Sequence, residues 1–180
     1  MHERLGRILL FVVAMAVSVS LINACSSEGT KEPSLQLNEL YALGGSSGDW
    51  VELHNSFDRD LSLEGYQLRD SAAIWVFPKG ITIKAKGFLQ IYCDDSGKDG
   101  KTNFKLTSKG ETITLLDTKG IVLDQIIYPN QEENISWGRY PDGTGDWTAL
   151  YQLTPGAANA KGTKKESIIT DGGPTETDPQ

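Results

Sequence analysis

Short segments that alternate between apolar and polar residues, separated by turn-forming groups, run through the middle of this chain. Residues 50–54, 81–84 and 112–115 each alternate with the period of two that a half-buried β-strand requires. Glycine, proline and aspartate clusters recur between such segments, at residues 44–49, 78–80, 94–100, 109–110, 117–120, 141–143 and 155–156. Many short strands at even spacing predict an all-β sandwich or barrel. Residues 115–116 and 121–122 flank a four-residue link, which predicts one hairpin.

The first 25 residues have the pattern of an export signal. Arg4 and Arg7 make a positive start, and residues 8–21 are almost wholly apolar. A helix of that length reaches about 21 Å, which is less than the roughly 30 Å of a bilayer's hydrocarbon core. The pattern therefore predicts a secretory signal that is removed, rather than a membrane-spanning helix.

The end of this signal resembles the lipobox of bacterial lipoproteins, in which an aliphatic residue, a small residue and a cysteine stand in series. The matching residues are Leu21, Ile22, Asn23, Ala24 and Cys25. The resemblance implies that residues 1–24 are removed and that lipid on Cys25 anchors the protein lastingly to a membrane. Ser26, rather than aspartate, after the cysteine favours the outer membrane of a bacterial cell envelope. The alternative is an ordinary secretory signal with an incidental cysteine.

The remaining chain divides into a predicted domain between two polar segments. Residues 25–34 form the lipidated cysteine and a short flexible tether, and residues 161–180 form a polar tail that is predicted to be disordered. The folded domain is predicted over residues 35–160. With Cys25 lipidated, Cys93 stands alone and no intramolecular disulfide is possible, so stability must come from packing.

Charge and cysteine content exclude two classes of protein. Seventeen basic residues against 24 acidic ones give a formal net charge of −7, and we therefore expect no nucleic-acid partner, because such a partner needs a basic face. Two cysteines cannot form a disulfide-stapled scaffold.

Several weak motifs follow one another in a fixed order between residues 35 and 159. Residues 49–55 fit the pattern D-W-x-E-L-x-N, residues 61–68 are similar to L-x-G-W-x-L with Tyr66 where tryptophan is common, and residues 154–159 fit a closing T-P-G-A-A-N. This order resembles the lamin tail domain family. The family-signature positions are Asn38, Glu39, Asp49, Trp50, Glu52, Asn55, Gly65, Pro78, Gly110, Asp124, Arg139, Trp147, Pro155, Gly156 and Asn159.

The resemblance implies an immunoglobulin-like β-sandwich whose signature residues are structural. Bacterial members of this family are typically exported and often accompany extracellular enzymes. The family supplies no catalytic residues and no cofactor to carry over to this chain.

The strand at residues 50–54 makes a specific prediction about its two faces. Val51 and Leu53 are predicted to face the core, while Trp50, Glu52 and His54 share the opposite face. If Trp50 is buried as well, a bulge or a loop must cover that second face.

Three possible catalytic features have simpler explanations. Residues 44–48 fit the pattern G-x-S-x-G, but a nucleophile elbow needs a helix after the serine, and here a strand is predicted to follow. His54 is the one histidine left after signal removal and is predicted to lie at the surface. Cys93 follows Leu89 and Ile91 at period two, which predicts that it faces inward as a small apolar residue.

One segment has the composition of a metal site. Asp94, Asp95 and Asp99 cluster in a glycine-containing loop, and carboxylates suit calcium. However, the twelfth position counted from Asp95 is Leu106, where an EF-hand requires glutamate, and Lys98 adds a competing charge. The favoured interpretation is a solvated acidic turn with no metal.

The sequence therefore predicts a non-enzymatic, lipid-anchored envelope protein that displays a domain for protein or glycan binding. The first alternative is an accessory subunit of an extracellular enzyme on a separate chain. The second is a hydrolase with an unrecognised carboxylate site, for which turnover lost on Glu52→Gln would be diagnostic.

Overall fold

The computed structural model describes residues 34–43 and 48–164. This part of the chain is all-β, with strands β1 (Leu35–Tyr41), β2 (Asp49–Asn55), β3 (Leu61–Ser62), β4 (Gln67–Arg69), β5 (Ile74–Val76), β6 (Thr82–Ile83), β7 (Phe88–Cys93), β8 (Thr112–Leu116), β9 (Val122–Ile127), β10 (Ser136–Tyr140) and β11 (Asp146–Leu150). No helix able to cross a bilayer occurs in the described residues.

Two antiparallel sheets enclose one core. The larger has the order β11-β10-β1-β2-β7, the smaller has the order β5-β4-β8-β9, and β3 pairs with β6 as a short separate ladder. The buried apolar cluster draws on both sheets, with Leu40 and Val51 from the larger and Leu68 and Leu115 from the smaller. The predicted immunoglobulin-like β-sandwich is confirmed.

A β-bulge at Asn38 changes which side chains of β1 face the core and which face outward. Leu37 lies opposite Leu53 on the core face, whereas Glu39 lies opposite Glu52 on the outer face, and the register shifts between them. Because strand side chains alternate, one extra residue is needed to bring Leu37 and Leu40 to the same face. The bulge places Asn38 where its side chain can bond to residues outside the ladder.

The outer face of the larger sheet is buried under two chain segments. Trp50 is 3% exposed and Glu52 is wholly buried, although both side chains are on the face of β2 that points away from the core. The segments at residues 141–145 and 153–160 bond to this face, as described below. Loops therefore cover this face, as expected if Trp50 is buried, whereas the bulge lies in β1 and does not contribute to the cover.

The predicted hairpin between β8 and β9 is confirmed. Leu116 pairs with Val122, and the Asp117 carboxylate accepts hydrogen bonds of 2.8 Å from the Lys119 and Ile121 amides, which closes the turn. Gly120, at φ 79°, supplies the left-handed residue that this turn needs.

Candidate functional site

The most distinctive polar feature is a pair of buried carboxylates on the outer face of the larger sheet. Glu39 of β1 and Glu52 of β2 are directly opposite each other, and both are wholly inaccessible to solvent. Within the described residues, neither carboxylate has an ion pair with lysine or arginine. Two buried acids without a cationic partner must be satisfied by hydrogen bonds.

Asn38 connects Glu52 to the first covering segment. Its Nδ2 donates to Glu52 Oε1 at 3.1 Å and to Asp142 Oδ1 at 2.9 Å, while its Oδ1 accepts from the Gly143 amide at 3.0 Å. The other Glu52 oxygen accepts from the Gly156 amide in the second covering segment. The Glu52 carboxylate and the Asn38 side-chain amide thus attach both covering segments to the sheet.

Glu39 binds the other end of the second segment. Its Oε1 accepts from the Ser136 hydroxyl and, at 3.3 Å, from the Thr154 amide, while its Oε2 accepts from the Thr154 hydroxyl at 2.8 Å. Asn159 completes the attachment, because its Nδ2 donates to the carbonyls of Asn38 at 3.2 Å and Arg139 at 2.8 Å. We call these bonded residues the buried carboxylate network; its members are Asn38, Glu39, Glu52, Ser136, Asp142, Gly143, Thr154, Gly156 and Asn159.

Burial shifts the proton equilibria of both acids in the same direction. Burial raises the pKa of Glu52 to about 8, opposed by the hydrogen bonds from Asn38 and Gly156, with Glu39 and Asp142 adding a smaller rise. Burial likewise raises the pKa of Glu39, against the hydrogen bonds from Ser136 and Thr154. All four carboxylate oxygens accept a hydrogen bond, and no substrate can reach them in this arrangement. The pair is suited to holding the covering segments in place rather than to hydrolysis.

A second signature contact joins the two sheets. Arg139 Nη2 lies 3.0 and 3.1 Å from the two oxygens of Asp124, and Arg139 Nε donates to the Leu37 carbonyl at 3.1 Å. The Leu37 amide donates to Asp124 at 3.0 Å, and the guanidinium lies 5.1 Å from the centre of the Trp147 ring. This half-buried ion pair connects β9 of the smaller sheet to β1 and β10 of the larger sheet.

The other signature residues lie apart from the network and have local roles. Asn55 Nδ2 donates to the carbonyls of Arg59 at 2.9 Å and Lys84 at 2.8 Å, which fixes two loops to the end of β2. Gly110 has φ 88°, and a Cβ there would lie 2.5 Å from the Tyr128 carbonyl oxygen, so only glycine fits. The remaining residues begin a strand, occupy turns or fill space: Asp49, Trp50, Gly65, Pro78 and Pro155.

The signature omitted residues that are essential to the network. Ser136, Asp142 and Gly143 all bond to it, yet each belongs to an ordinary-looking turn or strand in the sequence; Thr154, which also bonds to it, lies in the closing T-P-G-A-A-N motif. The proline-aspartate-glycine turn at residues 141–143 was recognisable as a turn. Nothing in that motif indicated that its aspartate bonds to a strand about a hundred residues earlier.

His54 is half-buried rather than at the open surface as predicted. Its ring stacks on Phe88 with centroids 4.7 Å apart, and the covering residue Gly143 lies so close that a Cβ there would be 2.7 Å from His54 Nδ1. Burial lowers the pKa of this histidine, with Asp142 opposing and Lys86 adding to the effect. The ring is therefore neutral at physiological pH.

Cys93 faces the core, as predicted. It is 1% exposed, and burial raises the pKa of its thiol to about 12. A thiol that stays protonated is a poor nucleophile and a poor metal ligand. This side chain acts as a small apolar residue in the core.

Asp94 in the acidic loop is neutralised by a neighbouring lysine. Asp94 accepts from the Ser96 amide at 3.0 Å and forms a 2.9 Å ion pair with Lys101, and the hydrogen bonds from Ser96 and then Lys101 lower the pKa of Asp94 to about 2. Asp95 and Asp99 adopt φ 65° and 53°. No group of three acidic, histidine or cysteine side chains in the described residues is arranged to hold a metal ion.

We expect excess EDTA to leave the melting temperature of the protein unchanged. Lys101 already neutralises Asp94, and no group of three potential ligands occurs in the described residues. The measurement is thermal unfolding with EDTA and with millimolar calcium. A calcium-dependent rise of several degrees that Asp94→Asn abolishes would instead establish a site in this loop.

The G-x-S-x-G segment does not form a nucleophile elbow. Strand β2 begins at Asp49, directly after Gly48, so a strand occupies the position where the elbow needs a helix. Residues 44–47 lie outside the described part of the chain. So do the signal, the lipobox with Cys25, most of the tether and the tail from residue 165 onward.

Exposed apolar side chains line both edges of the smaller sheet. We call them the apolar rims: Ile74 and Val76 on β5, and Ile121, Val122, Leu123 and Ile127 on and beside β9. Each is at least 43% exposed, and Ile127 is 72% exposed. Between the rims the outer face is polar, with Gln125 donating to Thr114 at 2.9 Å.

Comparison with known families agrees with this architecture. A family model described as Lamin Tail Domain matches residues 28–130, more than half of the chain. The chain belongs to the lamin tail domain family. No match was found among curated proteins.

The lamin tail domain of this protein extends past the matched residues. The match ends at residue 130, whereas β10 and β11 complete the larger sheet, and β10 pairs directly with β1. The partners that close the buried carboxylate network also lie after residue 130. A lamin tail domain of this kind is typically a non-catalytic module with an immunoglobulin-like fold, which agrees with the sealed state of Glu39 and Glu52.

Proposed function

We propose that this protein is a lipid-anchored protein of the bacterial cell envelope, and that its lamin tail domain is a non-catalytic module for binding a protein or a glycan. The observation that carries the binding role is the apolar rims. A sheet edge with four exposed branched side chains at β9 is costly to leave in water, and such patches typically mark contact surfaces. The sealed carboxylates support the absence of catalysis.

The anchor rests on the sequence of the first 26 residues. The lipobox-like series ending at Cys25 supplies the lipid attachment, and Ser26 favours the outer membrane. The tether of about nine residues reaches at most roughly 30 Å when extended, which keeps the domain close to the membrane surface. A binding module held there lies within reach of envelope proteins and glycans.

Capture of cross-linked partners tests the binding role. Intact cells would be cross-linked, and a C-terminally tagged protein purified and analysed by mass spectrometry. One dominant partner is expected for the unmodified protein, and Ile127→Lys should reduce its yield several-fold because the charge disrupts the apolar rim. Thr82→Lys, an exposed strand position outside the rims, is the matched control. Equal yields from all three proteins would remove the apolar rims from the proposal.

The accessory-subunit function is the second candidate. The apolar rims favour it, because they fit the apolar face of a protein better than a hydrated glycan. Co-purification of one extracellular enzyme with the tagged protein, lost in Ile127→Lys, would select this function over the general scaffold.

We expect Cys25→Ser to release the protein from membranes into the soluble fraction. Serine cannot form the thioether that carries the lipid, and nothing else in the proposal attaches the domain to a bilayer. The measurement is fractionation of cells followed by immunodetection. Ser26→Ala is the control and should stay with the membrane. Continued membrane retention of Cys25→Ser would refute the lipid anchor.

A further inference from the structure

A groove separate from the apolar rims lies beside the end of β11. Two adjoining cavities of about 460 and 190 Å³ share the residues Glu132, Ile135, Tyr151 and Lys164. Each is open on one side, and together they have the size of pockets that bind small organic molecules. We call this feature the Tyr151 groove.

Aromatic rings line both parts of this groove. Tyr151 is 37% exposed and contributes to both cavities, and the half-buried Trp137 contributes to the smaller one. An exposed aromatic ring is apolar on its face and polar at its edge or hydroxyl. A pyranose ring matches this pattern, because one face presents C–H bonds and the periphery presents hydroxyl groups.

Two polar atoms in the lining residues lack hydrogen-bond partners. Gln131 is only 7% exposed, and its Nε2 donates to the Pro129 carbonyl at 2.8 Å, but its Oε1 accepts no hydrogen bond. The indole Nε1 of Trp137 donates none. A buried acceptor and a buried donor left unsatisfied each cost free energy. Both residues line the smaller cavity, but both atoms have almost no accessible surface, so a ligand hydroxyl, which is donor and acceptor, reaches them only when these side chains turn toward the groove.

The rim of the groove carries further groups that bind hydroxyls. The side chains of Glu132, Glu133 and Asn134 are exposed there, and Asn130 adds a second amide. The turn is held in place, because the Asn134 amide donates to the Tyr41 hydroxyl at 3.2 Å and Asn134 adopts φ 59°. Carboxylates repel phosphorylated and other anionic ligands.

We propose that the Tyr151 groove binds a neutral saccharide, one or two pyranose rings long, stacked on Tyr151 with hydroxyls directed toward Gln131 and Trp137. This inference rests on the proposed function as a binding module and assigns a glycan, rather than a protein, to this particular surface. It is independent of the apolar rims.

Binding of defined tetrasaccharides tests the assignment. The full-length protein in detergent micelles would be titrated with tetramers of β-linked glucose and of N-acetylglucosamine, monitored by tryptophan fluorescence and by saturation-transfer NMR. We expect one of them to bind with a dissociation constant of about 0.1–10 mM, which is common for a small site. Tyr151→Ala should weaken that binding at least tenfold.

Two further variants make the test specific. Tyr92→Ala removes a tyrosine of similar exposure, 41%, on β7 and should leave the affinity unchanged. Trp137→Phe removes the N–H donor and should weaken binding; because Trp137 packs against the core, the variant should also melt at a lower temperature, so its binding is measured well below that temperature. Failure of both tetrasaccharides to bind below about 10 mM, or an unchanged affinity in Tyr151→Ala, overturns the groove as a saccharide site. That result would not affect partner capture by the apolar rims, so each proposal can be refuted without the other.

Discussion

Asn38→Ala is expected to destabilise the domain by about 2–4 kcal/mol, because it leaves Glu52 Oε1 buried without a donor, at about 1–3 kcal/mol, and removes the hydrogen bond from the Gly143 amide, at about 1 kcal/mol. In the described residues, Asn38 Nδ2 is the donor to Glu52 Oε1, and Asn38 Oδ1 accepts from the Gly143 amide. Asp142 keeps the 3.0 Å hydrogen bond from the Asn159 amide, so the first covering segment is loosened rather than released.

The measurement is equilibrium unfolding in urea, monitored by tryptophan fluorescence. Asn103→Ala is the matched control, because Asn103 likewise donates a side-chain N–H, to the Ile74 carbonyl at 3.2 Å, but lies exposed. Its cost should stay below about 1 kcal/mol, as for other surface substitutions. A similar small loss for Asn38→Ala would mean that water replaces the asparagine side chain and that the bulge has no role in stability.

The second large effect is a loss of stability as the pH rises from 6.5 to 8. Burial raises the pKa of Glu52 to about 8, so the folded state keeps a proton that the unfolded state, with its ordinary pKa near 4.5, has already released. This stabilisation is complete below the unfolded pKa and is lost as pH rises through the folded pKa. The free energy of unfolding should fall by roughly 1 kcal/mol per pH unit in this window.

The histidine acts in the opposite direction, mainly at the lower end of the window. Because burial lowers the pKa of His54, its contribution is fully present only well above its ordinary pKa of 6.5 and falls as the pH falls, so the carboxylates account for the slope in the upper part of the window. Glu39 changes in the same direction as Glu52, because burial raises the pKa of Glu39 too.

Two substitutions assign the pH dependence to a residue. Glu52→Gln removes one of the two titrating groups and should reduce the slope between pH 6.5 and 8. The exposed Glu132→Gln should not, which makes it the control. If Glu52→Gln retains the slope of the unmodified protein, Glu52 is ionised throughout and the hydrogen bonds from Asn38 and Gly156 outweigh its burial.

Local features of the fold were predictable from the sequence. The hairpin of β8 and β9 depends on a turn beginning with Asp117, and the inward direction of Cys93 follows from alternation along β7. Both involve residues close together in the chain, where turn chemistry and strand periodicity act directly. Family resemblance added the immunoglobulin-like sandwich, which periodicity alone does not distinguish from a barrel.

The buried carboxylate network was only half predictable. Asn38, Glu39, Glu52, Gly156 and Asn159 belong to the family signature, but their partners depend on contacts between residues far apart in the chain. Asn38 and Asp142 are separated by 104 residues. The bulge was not predicted either, although the three-residue spacing of Leu37 and Leu40 departs from the alternation of a regular strand. His54 was misplaced for the same reason, because its covering segment comes from residues 141–145.

The central position of β1 in the larger sheet has a consequence for when this domain can form. The first strand to be synthesised pairs with β2 on one side, but its other neighbour is β10, and the bond between Ser136 and Glu39 spans 97 residues. Loop closure over such a distance is slow, and long-range strand pairing lowers folding rates. A nascent chain therefore cannot finish the sheet until its last strands have emerged. If the chain is exported as proposed, this late completion of the sheet would help it to stay unfolded while it crosses the membrane.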